Sequence, residues 1–263
     1  MASEAGRILI AARDLGKSFG AIPVLRAVDL EVAGGQIVAV LGPNGTGKST
    51  LLKIVAGVMR AARGSLQLFG VDCFPGRSTS NVLARIGYAG HDPLVYRDLS
   101  PRQNLEFFAT FYDGGRVPVG GALAGGALPP AERAAAALER AGLTPVADRP
   151  TQTLSQGMLQ RLALARATLH SPEVLLLDEP FSGLDPTGSA QLESLVSDGR
   201  AAGRATVLVA HDLALVARLA TRAIVLSRGR VALDLTSMPS ADALADAYRR
   251  ATSSDPHHVG DRP

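Results

Sequence analysis

The residues from Gly42 to Thr50 have the types and the spacing that bind phosphate. They are Gly42, Pro43, Asn44, Gly45, Thr46, Gly47, Lys48, Ser49 and Thr50, and they fit the pattern G-x-x-x-x-G-K-[ST]. Glycines let backbone N–H groups turn inward around a phosphate, and the following helix adds its positive end. Lys48 supplies a charge for the outer phosphates, and the Ser49 hydroxyl is a ligand for Mg²⁺. The pattern predicts a nucleotide site that uses Mg²⁺.

The phosphate loop needs a strand before it and a helix after it, and the sequence provides both. Residues Gln36 to Leu41 are mostly apolar and predict a buried strand, and Thr50 to Val58 predict a helix. This order of strand, loop and helix is the context that the motif requires. The sequence therefore predicts an α/β fold with the loop at the end of a central strand.

A second apolar run ends in two carboxylates. Residues Glu173 to Leu177 predict a strand buried on both faces of a parallel sheet, and Asp178 and Glu179 follow it. Ligands bind at the carboxyl ends of such strands, so Asp178 is placed to hold Mg²⁺, directly or through water, and Glu179 to polarise an attacking water. The alternative is an ordinary strand end with solvated acids, and the phosphate loop upstream favours the functional interpretation.

A further phosphate-binding design lies at Leu154 to Met158. It combines the Ser155 hydroxyl, the Gly157 backbone and the start of a helix. One γ-phosphate does not need two such loops from the same chain. With these motifs together, the chain resembles the nucleotide-binding subunit of an ATP-binding cassette (ABC) transporter from about Ile8 to Leu235.

The resemblance implies a fold, a substrate and a partner. The fold is a P-loop NTPase of ABC ATPase type, with a RecA-like parallel-sheet core, an N-terminal antiparallel β-subdomain and a helical subdomain. The substrate is ATP with Mg²⁺. The partners are a second ABC ATPase subunit, stacked head to tail, and integral membrane subunits. In that dimer Ser155 and Gly157 complete the site that the partner builds around its own phosphate loop.

The resemblance also assigns roles to single residues. Asp185 corresponds to the loop that couples the two sites, and His211 to the histidine that contacts the γ-phosphate. Phe19, beside the flexible Gly20, corresponds to the aromatic ring that stacks on adenine. Taken alone, a phenylalanine such as Phe19 is more often a core residue.

Two segments depart from the usual family pattern. Gln156 and Met158 alter the signature loop, which usually reads Leu-Ser-Gly-Gly-Gln. His91 stands where the family usually has a glutamine that senses Mg²⁺ and the attacking water. The pair Gly90-His91 and the run from Leu154 to Arg166 resemble the ATPase of the haem exporter in cytochrome c maturation (Ccm type), although Asp92 replaces the glutamine common there.

Between the two halves of the site the pattern becomes helical. Residues Ser100 to Gly142 predict helices, with Val117 to Pro130 as a surface loop that lacks charge. We expect an ABC ATPase domain over residues 1–235, with a helical subdomain inserted at about 92–160. Residues 236–263 are expected to form a C-terminal helix and a disordered tail.

Composition limits the other classes of protein. The chain has 263 residues, 46% hydrophobic, with a net charge of +3 and a single cysteine, Cys73. Its pI is about 9.3, but Lys and Arg are scattered and aromatic residues make up 4%, which argues against nucleic-acid binding. The longest uncharged run, Val32 to Gly47, is too short to span a bilayer. The resemblance to a transporter subunit then implies a peripheral protein at the cytoplasmic face of the cell membrane.

Several functions remain open at this stage. The leading interpretation is the ATPase of a transporter, with export of haem, a drug, a lipid or a polysaccharide as alternatives, because the membrane subunits select the cargo. A soluble ABC ATPase acting on DNA or ribosomes usually has a coiled-coil insertion or a second cassette, and the sequence has no second phosphate loop. A nucleotide sensor without turnover is disfavoured by Glu179.

Overall fold

A computed structural model describes residues 6–73, 80–113 and 128–253. Within these ranges the strands are β1 (Ile8–Phe19), β2 (Ile22–Ala33), β3 (Ile37–Leu41), β4 (Arg63–Leu68), β5 (Val71–Asp72), β6 (Ile86–Ala89), β7 (Val174–Asp178), β8 (Ala205–Val209), β9 (Arg222–Ser227) and β10 (Arg230–Leu235). The helices are α1 (Lys48–Val55), α2 (Ser80–Leu83), α3 (Pro101–Asp113), α4 (Pro130–Arg140), α5 (Gln156–Thr168), α6 (Pro186–Ala201), α7 (Leu213–Leu219) and α8 (Ala241–Ser253). Most of the expected surface loop and of the expected tail lies outside the described residues.

The N-terminal sheet is antiparallel and has the order β2-β1-β4-β5. Its first two strands form one long hairpin, where the sequence pattern predicts only two short strands, Ile8 to Asp14 and Val28 to Val32. The difference has a local cause, because Asp14 and Ala27 take positive φ angles of 49° and 60° and shift the register of the pair. Such bulges interrupt the alternation of apolar residues from which a strand is predicted.

The central sheet has the order β10-β9-β3-β8-β7-β6, with β9, β3, β8, β7 and β6 parallel to their neighbours and β10 antiparallel to β9. Every residue of β3, β7 and β8 is buried, as expected for strands that are covered on both faces. Because β3 and β7 both neighbour β8, the residues that follow β3 and β7 meet at the same carboxyl edge. That edge carries the phosphate loop and the two carboxylates.

Two helices that border the site start earlier than the sequence predicts. Helix α1 begins at Lys48 rather than Thr50, because Gly47 takes a left-handed conformation (φ 99°) from which the chain enters the helix directly. Helix α5 begins at Gln156 rather than Gln160, because the Ser155 hydroxyl caps it and accepts a hydrogen bond from Met158 N at 3.3 Å. The motif residues therefore lie at helix N-termini.

A separate hydrophobic cluster holds the helices between β6 and β7 together. Leu105 of α3, Leu138 of α4 and Leu162 of α5 are its largest fully buried side chains outside the loops. The parallel sheet has clusters of its own on each face. Within the described part of the chain, none of the helices combines the length and the apolar character that a membrane crossing needs.

A buried histidine, His170, contacts both helix α3 and strand β6 of the central sheet. His170 follows α5, is 4% exposed, and its ring stacks on Tyr112 with centroids 4.1 Å apart. Its Nε2 donates to Ile86 O at 3.2 Å. Burial lowers the pKa of His170 from the ordinary value of 6.5 to about 4, with Arg166 and Arg133 adding to the effect. The imidazole is therefore neutral at physiological pH.

This depressed pKa predicts a loss of stability in acid. Because the folded state favours neutral His170, its contribution is complete above pH 6.5 and is lost as the pH falls towards 4. Between pH 7 and pH 4.5 we expect the parent to lose about 2 kcal/mol more of its unfolding free energy than His170→Phe. Urea unfolding of both proteins across this range measures the difference, and parallel pH profiles would contradict the prediction.

Candidate functional site

The phosphate loop is shaped by contacts that only glycine permits. Gly42 has a φ of 146°, and a Cβ at this position would lie 2.3 Å from Leu226 O of β9. A Cβ on Gly47 would lie 2.5 Å from a methyl carbon of Leu25 on β2. The loop is thus held between β9 on one side and the N-terminal hairpin on the other. Asn44 and Gly45, at its tip, are exposed to solvent.

Lys48 lies inside the loop that precedes it. Its Nζ donates hydrogen bonds to Gly42 O at 2.8 Å and to Pro43 O at 2.9 Å, and the side chain is buried. Thr46 also donates to Pro43 O, at 2.9 Å. Burial lowers the pKa of Lys48, and the nearby Glu179 and Asp178 oppose that shift. The loop carbonyls therefore hold the ammonium group at the centre of the loop.

Ser49 and Asp178 come from different elements and meet at the carboxyl edge of the sheet. The Ser49 hydroxyl donates to Asp178 Oδ1 at 3.0 Å. Asp178 is 3% exposed, and burial raises the pKa of its carboxyl group, while the Ser49 hydrogen bond opposes that effect. A hydroxyl and a buried carboxylate are oxygen donors of the kind that Mg²⁺ prefers.

The Glu179 side chain contacts His211, whereas that of the preceding Asp178 contacts Ser49. Its backbone takes a φ of 54°, which is uncommon for a residue with a side chain, and its N–H donates to Val209 O at 3.1 Å. Its Oε1 lies 3.0 Å from Nε2 of His211, which follows β8. Both side chains remain partly open to solvent, so a carboxylate and an imidazole are available to a ligand at this edge.

Phe19 lies at the end of β1, opposite Ile22 in the hairpin. Its side chain is 49% exposed, and Lys17 Nζ lies 5.4 Å from the ring centroid. The same hairpin contacts the phosphate loop, because Leu25 lies against Gly47. The structure therefore places Phe19 as an exposed ring on the element that borders the loop, and not in the core.

His91 follows β6, and β6 runs parallel to β7 with Ala89 opposite Leu177. The loop that carries His91 therefore leaves the sheet at the edge where Asp178 lies. The His91 side chain is exposed. A Cβ on Gly90 would lie 2.4 Å from Oη of Tyr88, so the Tyr88 ring covers the residue before His91.

Ser155, Gly157 and Asp185 form a second group, separate from the phosphate loop. A cleft of about 340 Å³ is lined, among the described residues, by Ser155, Gln156, Gly157, Met158, Arg161, Gly183, Leu184 and Asp185. Asp185 caps α6 and accepts from Gly188 N at 2.7 Å. A Cβ on Gly157 would lie 2.8 Å from Gly183 O, so close packing of these two loops explains that glycine.

One buried contact that the sequence did not predict supports the carboxylates. Gln160, on α5, is 6% exposed and donates through Nε2 to Pro180 O at 3.2 Å. It ties the helix that starts at Ser155 to the turn that follows Glu179. The sequence shows Gln160 as a polar residue among the apolar positions of α5, which indicates a buried hydrogen bond. It does not indicate the acceptor, Pro180 O, which lies 20 residues further along the chain.

A strand, a phosphate loop and a helix, with paired carboxylates at the carboxyl end of β7 in the same parallel sheet, define a P-loop NTPase. The model of the ABC transporter family matches residues 25–182. The chain belongs to this family, and it is an ATPase of the ABC type. The predicted fold class and ATP hydrolysis are confirmed.

Known relatives cover most of the chain. The zinc import ATP-binding protein ZnuC of Cereibacter sphaeroides is 40% identical over 84% of this chain and 79% of that protein. The cytochrome c biogenesis ATP-binding export protein CcmA 2 of Cupriavidus metallidurans is 34% identical over 78% of this chain and 90% of that protein. The dimeric cassette MJ0796 bound to ADP and Pi has a TM-score of 0.77 and 25% identity, over 88% of this chain and 100% of that chain. The names of the two curated relatives share ATP binding, but one refers to zinc import and the other to export in cytochrome c biogenesis.

Proposed function

We propose that this chain is the ATP-hydrolysing subunit of a membrane transporter that exports haem for cytochrome c biogenesis. The observation that carries the ATPase part is the group of Lys48, Ser49, Asp178, Glu179 and His211 at one edge of the sheet. The haem assignment is supported by the Gly90-His91 pair and by the 34% identity with CcmA 2.

The site residues divide the work of phosphoryl transfer. Lys48 and the N–H groups of the loop bind the outer phosphates and neutralise their charge. Glu179 accepts a hydrogen bond from the attacking water and aligns it with the γ-phosphorus. His211 holds that carboxylate through its 3.0 Å contact and contacts the γ-phosphate. His91 orients water from the neighbouring strand end.

Mg²⁺ fits the pair of Ser49 and Asp178. The hydroxyl and the carboxylate already lie 3.0 Å apart, and a cation would favour the ionised form of a carboxyl group whose pKa is raised by burial. When bound, Mg²⁺ supplies charge neutralisation to the phosphates. Few protein ligands are needed, because Mg²⁺ takes its other ligands from phosphate and water.

A second ABC ATPase subunit completes each site. Ser155 and Gly157 lie in a cleft of their own, with the Ser155 hydroxyl at the start of α5 and exposed. A head-to-tail partner would bring this helix N-terminus to the γ-phosphate held by the other chain. The dimeric MJ0796 cassette, which was solved with ADP and Pi, supports the same assembly here.

Integral membrane subunits are the second class of partner, which would hold the chain at the cytoplasmic face of the membrane. An exposed aromatic surface supports this assignment: Tyr96 contacts Phe107 at 5.1 Å, and Phe107 contacts Phe111 at 5.0 Å between centroids. Phe111 is 63% exposed. Clustered exposed rings are typical of interaction sites.

The division into a domain of residues 1–235, with a helical subdomain at about 92–160, and a C-terminal segment stays a prediction.

Phe19 is proposed to stack on adenine. Phe19→Ala is expected to weaken ATP binding by about 1 kcal/mol, roughly fivefold in Kd, and Phe19→Trp to retain it. Titration with a fluorescent ATP analogue measures the change. Phe111→Ala, which removes another exposed ring, on α3, serves as the matched control. Equal Kd values for Phe19→Ala and the parent would assign Phe19 no contact with the base.

The cargo is tested by the covalently bound c-type haem of cells that lack this protein. Complementation with the parent chain is expected to restore c-type haem, and complementation with Glu179→Gln is not. Free haem should still be synthesised in every strain. Normal c-type haem in all strains would reject haem export and leave a drug, lipid or polysaccharide as cargo. Lowered zinc in the cells that lack this protein, together with normal c-type haem, would instead assign zinc import. The 40% identity with ZnuC supports that alternative.

A further inference from the structure

Among the described residues, strand β6 is the last strand of the central sheet, and no strand of that part of the chain pairs with the outer side of its backbone. Arg85 O accepts from Glu173 N at 3.0 Å, towards β7. Because successive carbonyls of a strand point to opposite sides, those of Ile86 and Tyr88 point away from the sheet. Such unpaired groups normally remain in water or require another partner.

Two side chains take the place of a neighbouring strand, and they come from the last turn of α5 and from the residues just after it. Arg166 Nη2 donates to Tyr88 O at 2.8 Å, and His170 Nε2 donates to Ile86 O at 3.2 Å. The two donors are four residues apart and the two carbonyls two residues apart, so the end of α5 together with the residues just after it spans this part of the strand edge. We call Arg166 and His170 the strand clamp.

Helix α3 covers the strand clamp from the other side. The guanidinium carbon of Arg166 lies 5.2 Å from the centroid of Phe108, and the ring of Tyr112 stacks on His170 at 4.1 Å with 6° between the planes. Phe108 and Tyr112 are one helical turn apart and therefore lie on the same face. Arg166 and His170 therefore contact both β6 and α3.

The strand clamp has an energetic cost. Burial lowers the pKa of Arg166, and its Nε is buried without a hydrogen-bond partner among the described residues. Nδ1 of His170 is likewise buried without a hydrogen-bond partner among the described residues. Buried polar atoms without partners, here the Arg166 Nε–H donor and the His170 Nδ1 acceptor, destabilise a fold, so their presence points to a requirement for accurate placement of what the two residues hold.

What they hold is the strand that leads into His91. Tyr88, whose carbonyl the clamp binds, precedes Gly90-His91 and covers Gly90 with its own ring. Helix α5 also carries Ser155 at its start, and α3 follows the His91 loop along the chain. We propose that Arg166 and His170 are positioning residues for ATP hydrolysis, which set the place of His91 at the carboxyl edge and tie it to the helix of Ser155. The inference rests on the proposed role of His91.

The first test compares Arg166→Met with Arg166→Lys and with Arg204→Met in the full-length chain. Arg204 is also largely buried, but it precedes β8 at the opposite edge of the sheet, so it serves as the control. Arg166→Met is expected to lower kcat roughly tenfold, with KM changed less than about threefold, because a misplaced group slows the chemical step more than binding. Arg166→Lys should recover part of kcat. Arg204→Met should leave kcat as in the parent.

A second measurement does not depend on turnover. Hydrogen exchange of residues 88–92 in the ATP-free protein should be faster in Arg166→Met than in the parent and unchanged in Arg204→Met. If Arg166→Met does not fold, the pair His170→Phe and His170→Gln replaces it. Phenylalanine keeps the ring stack and loses the donor, whereas glutamine keeps a donor, so only His170→Phe should lower kcat. Equal kcat in these two variants would overturn the proposal.

The decisive test combines Arg166→Met with His91→Ala. If the clamp acts through His91, the double variant should have about the same kcat as His91→Ala alone. Losses that multiply would overturn the proposal and leave the role of His91 intact. Parent activity in His91→Ala would reject the role of His91 and the clamp together, while ATP hydrolysis and the cargo, which is measured by c-type haem, would be unaffected.

Discussion

Glu179→Gln is expected to bind ATP like the parent chain and to hydrolyse it at least about 100-fold more slowly. Glutamine has the shape of glutamate, and its amide oxygen can keep the 3.0 Å contact with Nε2 of His211. It lacks the negative charge that draws a proton from the attacking water. Phosphate release in a single turnover measures the rate, and titration with a fluorescent ATP analogue measures binding.

The same substitution should also change the assembly. If ATP joins two subunits across Ser155 and hydrolysis separates them, Glu179→Gln should remain dimeric in ATP where the parent returns to monomer. Light scattering after gel filtration distinguishes the two. Glu139→Gln, an exposed change on α4, is the matched control and should behave as the parent. Hydrolysis by Glu179→Gln at the parent rate would remove Glu179 from the mechanism.

The residues around Glu179 show what sequence patterns can predict. The loop that ends in Lys48 and the carboxylates after β7 are short, contiguous motifs. Each follows a fully buried strand of the parallel sheet, so both lie at its carboxyl edge. Motif and periodicity are local properties, and they were sufficient to predict an α/β fold with the loop at the end of a central strand. The exact starts of α1 and α5 depend on capping by Gly47 and Ser155, which shifts a boundary by a few residues.

Contacts between distant segments were not predictable in this way. The sequence indicates Gly157 as a backbone for phosphate, but its close approach to Gly183 O becomes visible only when α5 and the turn after β7 are packed. The hairpin of β1 and β2 continues through bulges that conceal its period. Arg166 and His170 look like ordinary residues near the end of α5, and their carbonyl partners are about 80 residues away.

Lys48→Ala should weaken the binding of ATP itself. The ammonium group is already buried and held by Gly42 O and Pro43 O, so ATP meets a charge whose position is fixed before binding. Losing hydrogen bonds from a charged donor to phosphate is expected to cost about 2 kcal/mol or more, roughly 30-fold in Kd.

Lys53→Ala is the matched control for Lys48→Ala, because Lys53 lies in the last turn of the same helix and outside the loop. Titration of both variants with a fluorescent ATP analogue measures Kd, and urea unfolding without nucleotide shows whether the apo fold is intact. The loop carbonyls lose their donor in Lys48→Ala, so part of any destabilisation should appear in the apo protein as well. A Kd for Lys48→Ala within about threefold of the parent would mean that loop N–H groups, rather than the lysine, carry phosphate binding.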